Sequence, residues 1–177
     1  MSLKHAILVL LETEPSSGYD LLKQFKNSLG YFWNAKHQQI YQQLKILTKE
    51  QLIVSEPEKQ AGKPDKKIYK ITSKGVDELR SWLNEPVEPN KINDSLLVKL
   101  YGGHLASDEN LLSEMERHQQ IHLSTLNKLL SIEKKYLSLP KSVQDKFKHP
   151  YLTLRRGILG EQAWLDWSEE AISMIKK

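Results

Sequence analysis

The sequence predicts a mainly α-helical chain in two parts: an N-terminal helical module closed by a β-hairpin, and a C-terminal helical domain. Three observations predict it. Residues 3 to 50 carry apolar side chains at helical spacing in three short blocks. Residues 52 to 72 change to β-rich segments around a Gly-Pro turn. After Pro86 and Pro89, which no helix interior accepts, the helical period returns over two long runs. The 177 residues suffice for one domain or two small ones, here 1–85 and 92–177 joined by a linker at 86–91.

Leu3 to Glu12 reads as the first helix, with Ile7, Leu8, Leu10 and Leu11 largely buried. Pro15-Ser16-Ser17-Gly18 reads as a turn, and either serine can cap the next helix. Tyr19 to Ser28 is that second helix, with Leu21, Leu22 and Phe25 inward and Gly30 at its end. Tyr31-Phe32-Trp33 reads as an aromatic plug between helices.

The third helix, about Ala35 to Glu50, carries the most information. At 100° per residue, Ile40, Leu44 and Leu47 share a narrow stripe. Gln38, Gln42, Lys45 and Lys49 fall opposite, with Gln39 and Tyr41 beside them, and no carboxylate appears before Glu50. Amides can bond adenine edges bidentately, and lysines can meet phosphate or guanine. Taken alone, such a helix is equally consistent with a solvated amphipathic surface.

The segment after this helix decides between the two. Leu52-Ile53-Val54 and Lys67 to Thr72 read as two strands, and Glu56 to Lys66 reads as the tip between them. Gly62 and Pro64 shape the tip, and Lys63, Lys66 and Lys67 make it basic. Thr72 or Ser73 caps a fourth helix carrying Val76, Leu79, Trp82 and Leu83. Three short helices, a basic hairpin and a closing helix make a winged helix-turn-helix, whose third helix enters the major groove of double-stranded DNA while the hairpin reaches phosphate or the minor groove. The charge agrees. Of a net +4 for the chain, residues 22 to 74 hold eleven lysines against four acids, a local +7.

In the C-terminal part, Ile92 to Leu105 holds a short helix with Leu96, Leu97, Leu100 and Tyr101 inward, ended by Gly102-Gly103. Ser107 caps a helix running to about Leu139, where Pro140 stops it, and Asp108 and Glu109 suit its positive end. Its apolar positions include Leu111, Met115, Leu126, Leu129, Leu130, Ile132, Tyr136 and Leu137. Leu152 to Ile175 is the last helix. Ile158, Leu165 and Ile172 repeat every seven residues, flanked by Leu154, Ile175, Trp164 and Trp167. Gly157 and Gly160 allow close backbone approach. So wide an apolar face suits a coiled-coil-like dimerisation domain in which a second copy completes the core, with Leu154, Ile158, Leu165, Ile172 and Ile175 as the contact. The alternative is an intramolecular hairpin packed on the N-terminal module.

Composition excludes several classes. No cysteine is present, so disulfides, thiolate zinc sites and cysteine nucleophiles are ruled out. No apolar run is long enough to span a membrane, and Leu3 to Leu11 does not read as a signal peptide, so a cytoplasmic protein is the simplest expectation. His118 and His122 lie one helical turn apart, as in HExxH zinc sites, but Gln119 stands where the base would be and no third ligand is evident. Their protonation near pH 6.5 at a helix interface is the other option. No phosphate-binding loop, dinucleotide fingerprint or nucleophile elbow occurs, so no catalytic residue, cofactor or metal is expected.

Beyond the physical pattern, Ser17-Gly18-Tyr19-Asp20, the segment from Tyr31 through Trp33, Ala35 and His37-Gln38-Gln39 to Tyr41, and the segment from Gly62-Lys63-Pro64-Asp65 through Lys67, Tyr69 and Ile71 to Thr72 resemble the PadR family of transcriptional regulators. Leu152-Thr153-Leu154-Arg155-Arg156 and Gln162-Ala163-Trp164 are similar to its AphA, or virulence-gene activator, branch. The resemblance spans nearly the whole chain and implies a homodimer on an inverted-repeat operator. It maps the family's DNA-contacting helix onto Lys36 to Lys45, which adds Lys36 and His37 to the candidates, and its wing onto Lys59 to Lys67. It also implies a small aromatic effector as a partner class, without assigning residues to it. Two other functions compete with a DNA-binding regulator. One is a ligand-sensing switch with DNA binding as its output, and the other is a winged-helix adaptor whose basic face meets an acidic protein.

Overall fold

A computed structural model describes residues 3–31, 33, 35–58, 66–89 and 93–177. The expected wing tip with Gly62, Lys63 and Pro64 lies outside these residues, as do Phe32, Asn34, Ile92 and the linker positions 90 and 91. The chain forms two compact units, residues 1–90 and 91–177.

In the first unit α1 (Leu3–Thr13), α2 (Gly18–Asn27) and α3 (His37–Lys49) enclose one core, closed by α4 (Ser73–Leu83). The core contains Ile7, Leu8, Leu11, Leu21, Leu22, Phe25, Ile40, Leu44, Leu47, Leu52, Ile53, Tyr69 and Leu79. Apart from Leu52, Ile53 and Tyr69 of the hairpin region, these are the periodic apolar positions of each helix, and Leu8, Leu21, Leu44 and Leu47 are 0% exposed. Trp33 packs against this core as expected. Tyr31 is 38% exposed, so the aromatic cluster is only in part a plug.

Two helix ends set the geometry. Ser17 accepts the Asp20 N–H at 3.1 Å and so caps α2. At the end of α3, Leu52 N–H reaches the Leu47 carbonyl at 3.0 Å and Gln51 N–H reaches Thr48 at 3.1 Å. This Schellman closure places Gln51 at φ 60°, where glycine is usual, and turns the chain into the sheet.

The sheet differs from expectation in two ways. Among the described residues it has three antiparallel strands in the order β1 (Ser16–Ser17), β3 (Lys66–Ile71), β2 (Ile53–Glu58). The expected turn at Ser16-Ser17 is a short strand that pairs with Tyr69 and Ile68. The hairpin strands also run further than expected. Glu56, Pro57 and Glu58 pair with Ile68, Lys67 and Lys66, so these residues are ladder and not tip. Pro57 is tolerated because β2 is an edge strand, where an absent N–H costs nothing on the open side. Thr72 caps α4 through the Gly75 N–H at 3.1 Å. Leu83, one of the apolar residues of that helix, is 62% exposed at its end.

The second unit consists of α5 (Ser95–Tyr101), α6 (Asp108–Leu137), a short α7 (Lys141–Lys146) and α8 (Lys148–Ile175). Ser107 caps α6 as expected, accepting the Asn110 N–H at 3.3 Å. Thirty residues make α6 roughly 45 Å long. α8 runs antiparallel beside it. Pro150 sits in the first turn of α8, where its missing N–H has no helical partner to lose. The seam between α6 and α8 buries Leu126, Leu129 and Ile158, with Leu154 and Leu165 beside them. The expected inward face of α5 does not hold. Leu96 is buried, but Leu97 is 43% and Tyr101 94% exposed.

Candidate nucleic-acid interface

The site is built on α3. Lys36 N–H donates to the Gln39 side-chain oxygen at 2.7 Å, so Gln39 closes the first turn of its own helix and leaves only its NH2 free to reach outward. Ile40, Leu44 and Leu47 anchor the inner face at 1%, 0% and 0% exposure. Across the helix, Gln38, Gln42 and Lys45 are exposed, and Lys36 and His37 are exposed at its N-terminal end. Gln38, Gln42 and Lys45 therefore share one outer face, with Lys36 and His37 at the helix start, on a helix that cannot rotate without exposing three core side chains.

Tyr41 differs from its neighbours. It is half-buried, and its ring lies tilted against His37 with centroids 4.7 Å apart. A Cβ placed on Gly18 would come within 2.7 Å of the Tyr41 ring carbon Cε1. Gly18 thus lets the start of α2 sit directly on α3, and Tyr41 sets the spacing of the helix-turn-helix. Sequence spacing shows Tyr41 only as a flanking residue; its contact lies 23 positions away in the chain.

The hairpin supplies the second element. Lys66 Nζ donates to Asp20 Oδ2 at 3.1 Å, and Lys70 to Glu56 at 2.7 Å. Lys67 is exposed, its ammonium 5.8 Å from the Tyr69 ring centroid. Lys63 lies outside the described residues. The Ser17 hydroxyl and then Lys66 hold the Asp20 carboxyl below the usual carboxylate range. Burial pushes the Tyr69 phenol up.

In the second unit, the five residues expected to form a contact face have different surroundings. Ile158 is 0% exposed, taken up by the seam with α6. Gly157 serves the same seam, since a Cβ there would stand 3.2 Å from Leu129 Cδ1. Leu154, Leu165, Ile172 and Ile175 are half-buried. The apolar surface that stays open comes from other positions: Leu123, Leu152, Leu159 and Met174 are 41%, 64%, 52% and 67% exposed.

His118 and His122 do not converge on a common point. Their ring centroids are 6.4 Å apart. His122 Nδ1 meets Glu161 Oε2 at 2.6 Å, and its ring stacks on Trp164 at 3.7 Å. No group of three or more His, Cys, Asp or Glu able to hold a metal occurs among the described residues. No helix among them is long and apolar enough to cross a membrane.

Comparison with known proteins follows the same division. Residues 7–81 match the model of the transcriptional regulator PadR-like family, and residues 92–176 match that of the virulence activator alpha C-terminal region. The chain is 36% identical to the negative transcriptional regulator PadR of Bacillus subtilis, over 99% of this chain and 98% of that one. Among solved structures it is similar to B. subtilis PadR in complex with operator DNA, with 34% identity, TM-score 0.82 and 98% of each chain covered. The same protein in complex with p-coumaric acid matches at 32% identity, TM-score 0.76 and 99% of each chain. The Vibrio cholerae virulence activator AphA matches at 29% identity and TM-score 0.78, over 99% of this chain and 98% of that one.

Proposed function

The chain belongs to the PadR-like family of transcriptional regulators, and from that premise we propose that it binds an inverted-repeat operator as a homodimer, reading bases with α3 and phosphate with the hairpin. The observation that carries this is the exposed outer face of Gln38, Gln42 and Lys45, with Lys36 and His37 exposed at the helix start, on a helix locked by Ile40, Leu44 and Leu47. A similar structure, B. subtilis PadR, is bound to operator DNA. In this reading Gln38 and Gln42 face base edges, where a bidentate amide discriminates by about 1–3 kcal/mol. Lys36, Lys45, Lys63, Lys66 and Lys67 meet phosphate, which fixes register without reading sequence. His37, Gln39 and Tyr41 support the start of the reading helix as well as lying beside the groove.

A homodimer is supported by the open apolar surface of the second unit and by the limited reach of one winged helix. A single α3 contacts only a few base pairs, and two-fold pairing doubles the sequence read. Leu154, Leu165 and Ile172 lie on the stripe that faces α6 and are half-buried, with Ile175 near them, so the open Leu152 and Leu159 on the other side of α8, and Leu123 on α6, offer the larger surface for the contact.

The test uses a duplex selected from a random pool by the wild-type protein and a shuffled duplex of equal length. Gln42→Ala and Gln38→Ala are expected to weaken the selected complex by about 1–3 kcal/mol and to leave the shuffled one nearly unchanged. Equal losses on both duplexes would remove base readout from α3. The likeness to PadR in complex with p-coumaric acid also supports a small aromatic acid as effector. A rise in melting temperature with p-coumaric acid, together with weaker binding to the selected duplex, is expected. A ligand with equal affinity for free and DNA-bound protein would leave operator binding unchanged.

A further inference from the structure

Asp20 is a carboxylate set into the basic side of the first unit, in contact with a wing lysine 46 positions away. Its Oδ2 accepts from the Ser17 hydroxyl at 2.6 Å and from Lys66 Nζ at 3.1 Å. Ser17 in turn accepts the Asp20 N–H at 3.1 Å and belongs to β1, which pairs with β3 at Ile68. One carboxylate therefore ties the start of α2, the short strand β1 and the first residue of β3. Both side chains of the Asp20–Lys66 pair stay partly open, at 43% and 38% exposure. Water and phosphate can reach both.

The cap hydrogen bond does not need this charge, although a carboxylate in the first turn suits the positive end of α2. Ser17 alone satisfies the N-terminal amide it caps, and an asparagine at position 20 could accept the same hydroxyl proton. On a face that must approach a polyanion, an extra carboxylate lowers attraction. Lys66 pairs with it at the tip end of the strand ladder, opposite Glu58, where a free four-carbon stem would otherwise sweep a wide arc. An ammonium already neutralised by a carboxylate releases few counterions on a passing duplex. It transfers to phosphate only where the rest of the interface places a phosphate oxygen in line.

We propose that Asp20 is a positioning residue that holds Lys66 for one phosphate of the seated operator and lowers the affinity for non-specific DNA, so that it sets specificity without touching a base. This rests on the DNA-binding reading above. The experiment titrates wild type, Asp20→Asn, Lys66→Gln and the double variant against the selected and shuffled duplexes over a range of salt, with melting temperature measured in parallel. Asp20→Asn is expected to tighten the shuffled complex by about three- to tenfold, steepen its slope of log affinity against log salt by up to about one unit, and lower the selected-to-shuffled ratio. Lys66→Gln is expected to weaken the selected complex more than the shuffled one. In the Lys66→Gln background, Asp20→Asn should have less than about a twofold effect on the shuffled duplex.

If Asp20→Asn tightens both duplexes alike, and does so equally without Lys66, plain repulsion explains it and the proposal is overturned. A variant that loses affinity on both duplexes with a lowered melting temperature would assign Asp20 to the helix cap alone and overturn it too. Should Asp20→Asn fail to fold, Lys66→Gln still decides, because a larger loss on the shuffled duplex contradicts a directed contact. Failure of the DNA-binding reading shows separately, as a wild-type protein with no preference for any selected duplex; the proposal would fall with it.

Discussion

The two units use apolar residues in opposite ways. The first places thirteen buried apolar side chains into one core from four helices and a sheet, and turns amides and cations outward. The second has two helices of 30 and 28 residues, yet among the described residues its buried cluster is Leu126, Leu129 and Ile158 in the seam between them, with Leu96 and Met115 buried apart from it. Meanwhile Leu152, Leu159 and Met174 remain more than half exposed. A unit that meets its own need for burial can carry a reading surface on a rigid base. A unit that leaves apolar surface open is suited to taking up another copy, because water-exposed area of this kind is what association removes.

The largest effect should come from breaking the self-sufficient half. Leu44→Ala removes a fully buried side chain under the reading helix and should cost about 2–5 kcal/mol in urea denaturation. A loss below about 1 kcal/mol would mean that the first unit is loosely packed and the contrast is false. The second unit should respond through association instead. Leu159→Asp alters a side chain 52% exposed in the single chain, so the monomer should keep its helix content. In a dimer the new carboxylate would be buried unpaired, and the dissociation constant should rise at least about a hundredfold. Sedimentation reads this directly, and unchanged association would move the contact elsewhere. Leu165→Asp is a poorer probe, because Leu165 already packs on the seam and its loss would mix folding with assembly.

Acid should affect both halves modestly. Lys4 and then His5 hold the Glu78 carboxyl low in the first unit, as Ser17 and Lys66 do for Asp20. In the second, Arg117 and then Lys99 bring Glu114 from 4.5 down to about 2. A carboxylate whose folded value lies below its unfolded one stabilises fully above the unfolded value, and that stability drains away as pH falls towards the folded one. The carboxylates of these pairs remain partly open to solvent, so each contribution is small. Stability should therefore decline below about pH 4.5, and Glu114→Gln should flatten the part of the decline that reaches towards pH 2. A decline with the same shape in that variant would show that Glu114 plays no part in it. The smallest effect is local. Gln51→Gly relieves the positive φ at the end of α3 and should raise stability by about 0.5–1 kcal/mol. A decrease would show that the entropy of the unfolded chain outweighs the strain.

The same contrast explains what the sequence makes legible. In the first unit the helical stripe of Ile40, Leu44 and Leu47 can be read because the core that covers it belongs to the same chain. The same rule places Leu97 and Tyr101 inward, yet they are exposed, because periodicity marks which face is apolar and not what covers it. The strand at Ser16-Ser17 is too short to have a pattern of its own; its pairing is imposed by β3. Glu56, Pro57 and Glu58 have turn composition but lie on an edge strand that accepts proline. In the candidate site, exposure of Gln38, Gln42 and Lys45 follows from spacing alone. The cap made by Gln39, the packing of Tyr41 on Gly18 and the Asp20–Lys66 pair depend on three-dimensional neighbours that spacing does not encode.

In the proposed function one unit reads DNA and the other brings two readers together. The mass of the complex on the selected duplex, measured by sedimentation with footprinting on the same sample, tests it most directly. We expect two chains per duplex and two protected half-sites related by a two-fold axis, their centres about one helical turn or a multiple apart. A single chain bound with full affinity to one half-site would contradict the account.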